Sequence, residues 1–209
     1  MVSLGDVLTH MPGIAPERIR LTPAPGTATE ADVLEIHDRE NRLFELIDGI
    51  LVEKTMGLRE SMLAGVIIGL LRQFVVPRNL GIVTGADGMM RFFPGLVLIP
   101  DVAYVSWDRI PGGVIPEDPI PDLVPDFAIE VLSISNTPVE MKRKRNHYFR
   151  TGVKLVWEID PAVRTLARYT DPEKAQVFQS NAIVSAEPVL PEFSLNLAEL
   201  FGELDRRKS

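Results

Sequence analysis

Apolar and polar positions along this chain follow two periods, and the changes between them mark out its elements. The first 28 residues show little periodicity and contain Pro12, Pro16, Pro23 and Pro25, which predicts an extended N-terminal arm (1–28) ahead of a single domain (29–209). The stretch TEADVLEIHDRENR predicts a short helix capped by Thr29. In FELIDGILVEK two apolar runs flank Asp48-Gly49, the pattern of a tight hairpin. Residues 57–76 carry apolar side chains at helical spacing on more than one face, and Pro77 halts that helix. Short strands follow at LGIVTG and MMRFF around a turn at Ala86-Asp87-Gly88, and then at DVAYVSW. Between 108 and 125 the prolines and glycines exclude regular structure, and a loop of that length suits a substrate-facing flap. DFAIEVLS is almost continuously apolar, as befits a central strand covered on both faces. Thr137, Pro138 and Glu140 then supply a cap, a first-position proline and a third-position acid for a helix running to Gly152. VKLVWEI and RTLARYT form a hairpin at Asp160-Pro161, QVFQS and AIVS read as short strands, and PEFSLNLAELFG closes with a short helix. The order is that of a mixed α/β domain around one central sheet.

Two acids break the apolar pattern. Asp101 ends LVLIPD, and Glu130 sits inside PDFAIEVLS. An ionised carboxylate among strand-forming apolar residues costs several kcal/mol unless it is paired, hydrogen-bonded or metal-bound. Two such acids converging at one end of a sheet, with the backbone carbonyl of Val131 as a third oxygen, make a hard-oxygen site that leaves positions open on a divalent cation for water and phosphate. Glu60 is a third candidate: Leu63, Ala64, Ile67, Leu71 and Phe74 recur at helical spacing from it, which places it on the inward stripe, able to hold a water in the outer shell. Downstream, MKRKRNHYFR offers Lys142, Arg143, Lys144 and Arg145. A lysine can position water or stabilise developing phosphorane charge, and periodicity alone does not choose among Lys142, Lys144 and Arg145. Glu140 is better explained as the helix-capping acid than as a ligand.

At 209 residues and 45% hydrophobic content, the chain suits one packed domain. No stretch reaches the roughly 18 apolar residues of a membrane span, so no membrane partner is expected. MVSLGDVLTHMPG lacks a basic segment followed by an apolar core, so no secretory signal is expected. The absence of cysteine excludes disulfides and thiolate metal sites and points to the cytoplasm. A net charge of −7 argues against a protein that coats nucleic acid, yet is compatible with a carboxylate site that awaits a cation. His10, His37 and His147 are scattered without metal-ligand spacing, GxSxG and phosphate-cradling glycine loops are missing, and Asp87 in GADG reads as a turn residue.

With those residues in place, the chain resembles the Uma-two family of bacterial endonucleases, a branch of the PD-(D/E)xK superfamily. The resemblance spans roughly residues 30–201 and rests on FELIDGILVEK, IPDVAYVS, PDFAIEVLS, the spacing of Lys144, Tyr148 and Gly152-Val153, LVWEIDP and LPEFSLNLAELF. It implies a restriction-endonuclease-like αβββαβ core with a mixed central sheet and extra C-terminal strands, begun by the helix of Glu60. The superfamily's usual lysine lies two residues after the strand acid, where this chain has Leu132, so the resemblance assigns that role to Lys144. Glu140 stands where relatives often have Asp, and Glu60 where many have His. The implied activity is Mg²⁺-dependent cleavage of DNA, with Mn²⁺ as an alternative cation: Asp101 and Glu130 bind the metal, Lys144 orients water, and Arg143, Arg145 and Lys142 contact flanking phosphates. A homodimer would match the two-fold symmetry of duplex DNA. The alternatives are a non-catalytic binding module on the same fold and a phosphodiesterase for small nucleotides.

Overall fold

The computed structural model describes Gly5, Val7, Thr9 and residues 11–207; His10 and part of the arm lie outside the described residues. Strands and helices alternate as α1 (Glu30–Glu40), β1 (Phe44–Ile47), β2 (Ile50–Glu53), α2 (Leu58–Val75), β3 (Gly81–Thr84), β4 (Met90–Phe93), β5 (Leu96–Leu98), β6 (Val102–Ser106), β7 (Phe127–Val131), α3 (Pro138–Thr151), β8 (Leu155–Asp160), β9 (Thr165–Tyr169), β10 (Ala175–Gln179), β11 (Ile183–Ser185), β12 (Ser194–Asn196) and α4 (Leu197–Gly202). A six-stranded sheet has the order β10-β9-β8-β7-β6-β3, with β7 and β8 parallel and the other neighbours antiparallel. Through α2, β3, β6, β7, α3 and β8 the chain traces the expected αβββαβ order.

A mixed central sheet forms as expected, but it is one of three sheets among the described residues. β4 does not join β3; β1, β2, β4 and β5 build a separate four-stranded sheet ordered β2-β1-β5-β4, and β11 pairs with β12 alone. Such short strands take partners from across the chain, so their sheet membership is decided by packing rather than by local pattern. One face of the six-stranded sheet carries Phe127, Ile129, Val131 and Trp157 against α2 and α4. The other carries Ala128 and Val156 against Tyr148 of α3 and the inner side of the small sheet, whose outer side Val33 and Ile36 of α1 cover.

Local chemistry sets the element ends. Thr29 and Asp32 form a reciprocal capping box on α1, and Asn41 ends it in the left-handed region. On α3 the Thr137 hydroxyl accepts the Glu140 N–H at 3.1 Å, but the Glu140 carboxylate turns away to Arg18, so only half of the expected box forms. The arm is tied down: Met11, Ile14 and Ile19 are buried, and Ile19 bridges to Val52. The loop 108–125 also departs from the flap expectation. Arg109 binds Asp126 and the Gly152 carbonyl, which fixes the loop at the N-terminal end of β7, away from Glu130 at the other end.

The β1–β2 turn has φ of 50° at Asp48 and 75° at Gly49, as a two-residue hairpin requires. A side chain on Gly49 would also stand 2.6 Å from the Gly26 carbonyl, which accepts no displacement cheaply because Gly26 is hydrogen-bonded to Gly49. Gly49→Ala should therefore cost about 1–2 kcal/mol, read as a lower urea midpoint at unchanged slope.

Candidate active site

Alternation along β7 turns Phe127, Ile129 and Val131 to the α2 side and leaves Ala128 and Glu130 under α3. Glu130 there meets two α3 residues one turn apart: the Tyr148 hydroxyl donates to Oε1, and Lys144 Nζ lies 2.9 Å from Oε1 and 3.0 Å from Oε2. Asp101 occupies the bend between β5 and β6, where its Oδ2 accepts the Val131 N–H at 2.7 Å. That bond locks the acid to the strand of Glu130.

Two residues that the sequence did not single out complete the cluster. Lys54, just past β2, places Nζ 2.6 Å from Asp101 Oδ1 and 3.4 Å from Glu130 Oε2. Glu45, on the inner side of β1, accepts the Ile99 N–H at 3.0 Å and pairs with Lys144 at 2.9 Å. Glu45 stands in FELI much as Glu130 stands in FAIEV, so the same signal, an acid inside an apolar strand, was there to be used.

Three acids, two ammonium groups and a phenol thus share a space almost closed to solvent. Burial pushes the Glu130 carboxyl above its ordinary range, aided by Asp101 and Glu45 and opposed by Lys144 and Lys54. Burial also favours the neutral form of Glu45, but the charges of Lys144 and Lys54 outweigh it and leave that carboxyl below its usual value. For Lys54 burial works against the charge, and Asp101, Glu130 and Glu45 more than compensate, so its ammonium is held firmly protonated. Burial and the adjacent acids hold Tyr148 neutral, as a donor to Glu130.

The remaining expected residues are dispersed. Consecutive helix positions point about 100° apart, so the KRKR run makes no common basic face. Lys142 is exposed and pairs with Glu173 at 2.9 Å; Arg143 turns to the Met11 sulfur at 2.9 Å; Arg145 binds Glu158 at 2.5 Å and stacks on Tyr169. Glu158, the register partner of Glu130 on β8, is a further buried acid that the sequence did not reveal. Glu60 is half-buried rather than core-facing. It sits in the first turn of α2, folds back over Gly57, and lines a cavity of ≈590 Å³ with Ser133, Met141 and Glu158. A helical wheel finds its stripe, but the first turn of α2 overruns the core, and its buried positions begin at Leu63.

As a cation site, the donor set is two carboxylates and a carbonyl. In a strand the N–H and C=O of one residue face the same edge, so the Val131 carbonyl faces the Asp101 side. These are hard oxygens of the kind Mg²⁺ and Mn²⁺ accept. Among the described residues no group of three His, Cys, Asp or Glu side chains is placed to hold a metal, and Glu45 is paired with Lys144.

The model of a family described as "Putative restriction endonuclease", Uma2, matches residues 30–198. The chain belongs to the Uma2 family. Among solved structures, a "putative nuclease belonging to DUF820" from Anabaena variabilis is similar at 24% identity and a TM-score of 0.69, over 78% of this chain and 91% of that one. The likeness is one of fold, and with the αβββαβ order it agrees with a restriction-endonuclease-like core. Among curated proteins, none matches it. No helix among the described residues is long and apolar enough to cross a membrane.

Proposed function

We propose that this Uma2 chain is a Mg²⁺-dependent endonuclease that hydrolyses DNA phosphodiester bonds, with Mn²⁺ able to substitute. The observation that carries this reading is the convergence of Asp101 Oδ1 and Glu130 Oε2 on one point, beside an ammonium group, at the C-terminal end of a central strand. Asp101, Glu130 and the Val131 carbonyl would hold the cation, which supplies Lewis-acid polarisation of the phosphoryl group when bound. Tyr148 and Lys144 fix the Glu130 carboxylate by hydrogen bonds. Lys144 Nζ lies within 3.0 Å of Glu45 Oε1 and of both Glu130 oxygens, and from there its charge would orient the attacking water and stabilise charge developing on phosphorus. Lys142 and Arg143, at the α3 surface and its margin, are the candidates for flanking phosphates, whereas Arg145 is committed to Glu158. Glu60 is assigned at most an outer role from the cavity side. Two chains related by a two-fold axis would cut both strands of a duplex.

The test is incubation with supercoiled plasmid, linear duplex and single-stranded DNA in Mg²⁺, Mn²⁺ or EDTA. Cation-dependent cleavage should appear and fall by at least about a hundredfold in Asp101→Asn. Full activity in a folded Asp101→Asn protein would refute the assignment. A second reading, a binding module on the same fold, is favoured by one observation: Lys54 and Lys144 already neutralise most of the acidic charge. It predicts DNA affinity, or partner binding, without cleavage under any cation.

A further inference from the structure

The oxygens of the two proposed metal acids are fully engaged. Asp101 Oδ2 holds the Val131 N–H, and Glu130 Oε1 holds the Tyr148 hydroxyl and Lys144. Asp101 Oδ1 and Glu130 Oε2 both face the ammonium of Lys54, at 2.6 Å and 3.4 Å, and Oε2 also accepts from Lys144 at 3.0 Å. A divalent cation of this type sits about 2.0–2.6 Å from each carboxylate oxygen it takes. A cation shared by these two oxygens would therefore fall on Lys54 Nζ.

We propose that Lys54 is a resident, exchangeable cation that fills the metal position, and that metal loading proceeds by its displacement. The inference rests on the nuclease reading and adds a residue to it. The two lysines of the cluster differ in how they are held. Lys144 rises from the middle of α3 and is clamped between Glu45 and Glu130. Lys54 follows the last residue of β2; its backbone N–H is anchored on the Leu43 carbonyl at 2.8 Å, while Thr55, Gly57 and Leu58 beyond it are exposed. Its flexible stem can swing to that open side with no change in the strands. Its departure leaves Asp101 without a counter-charge and Glu130 with Lys144 alone, a deficit that a divalent cation relieves. Until that exchange occurs, Lys54 keeps Asp101 and Glu130 from repelling one another, so the site is assembled before metal arrives. Apparent metal affinity is lowered by the fraction of molecules in which Lys54 stays in place.

The experiment is calorimetric titration of Mn²⁺ into the full chain and into the Lys54→Met and Asp101→Asn variants. Lys54→Met should bind Mn²⁺ about tenfold more tightly or better, and Asp101→Asn should lose the site. Equal or weaker binding by Lys54→Met, with loss in Asp101→Asn, would overturn the proposal and leave the nuclease reading standing. No binding by either the full chain or Lys54→Met would overturn both. If Lys54→Met does not fold, side-chain ¹⁵N spectra of the unmodified chain decide the matter. The protected Lys54 ammonium signal, identified by its absence from Lys54→Arg, should vanish on Mg²⁺ addition while that of Lys144 persists; a Lys54 signal unchanged at saturating Mg²⁺ would reject displacement.

Discussion

Lys144→Met is expected to abolish cleavage and to lower thermal stability in the same variant. One ammonium serves both Glu45 and Glu130, and all three groups are less than a tenth exposed. Removing one member of a buried ion cluster leaves charge without compensation and costs about 3–5 kcal/mol. For a chain of this size, that corresponds to a fall in melting temperature of about 6–20 °C, measured by circular dichroism. Adding Glu45→Gln should restore part of the loss, because the double variant no longer leaves Glu45 facing an absent partner. The catalytic effect is separable: well below the melting transition, kcat should drop by about 10²–10³ while KM changes little, since Lys144 is proposed to act on charge formed at phosphorus. A Lys144→Met protein that melts like the original would show that the ammonium does not hold these acids together.

The second large effect is at the opposite end of β7. Asp126 is almost fully buried and takes the Ser106 N–H at 2.9 Å, Arg109 Nε at 3.0 Å and Lys154 Nζ at 2.8 Å. Burial alone would raise its carboxyl, but the bonds from Lys154 and Ser106 and the charge of Arg109 outweigh it and hold the group below its ordinary value. Asp126→Asn should cost about 3 kcal/mol at neutral pH, allowing for the solvent that reaches Lys154 and Arg109. The pH dependence follows from the sign of the shift. A carboxyl depressed in the folded chain contributes stability that is complete above the unfolded value of about 3.9 and is lost as pH falls through the lower folded value. Urea denaturation of the two proteins should therefore show a gap that is constant from neutral pH down to about pH 5 and narrows below about pH 4. A gap that widened in acid would contradict the depressed carboxyl.

Where local chemistry decides a feature, the sequence was readable. Asp48-Gly49 marked the hairpin because few residue pairs accept two positive φ angles, and Thr137-Pro138 marked the start of α3 because its first N–H groups need an acceptor. Asp101 and Glu130 stood out because charge inside an apolar strand demands a reason, and the structure brings them together. Lys54 was hidden for the converse reason. A lysine ending a hairpin looks like any solvated strand end, and its partner Glu130 lies 76 positions further along. The split into two sheets was equally hidden, since β4 and β5 are short and the pairing of β5 with β1 is settled only by tertiary packing. Glu158 sits in VKLVWEI, where its exposure depends on whether the hairpin's inner face meets α3.

The bond from Arg18 to Glu140 gives this fold a timetable. Arg18 also reaches the Glu53 carbonyl at 3.0 Å, so a single guanidinium joins the start of the chain, the strand leading to Lys54 and the first turn of α3. Its two ends are 122 residues apart in sequence. During synthesis at about 5–20 residues per second, residue 18 waits about 6–24 s for residue 140 to be made. Lys54 and then Asp101 are made within that interval and wait without the helix that supplies Lys144, so the cluster closes only after Lys144 and Tyr148 have been made.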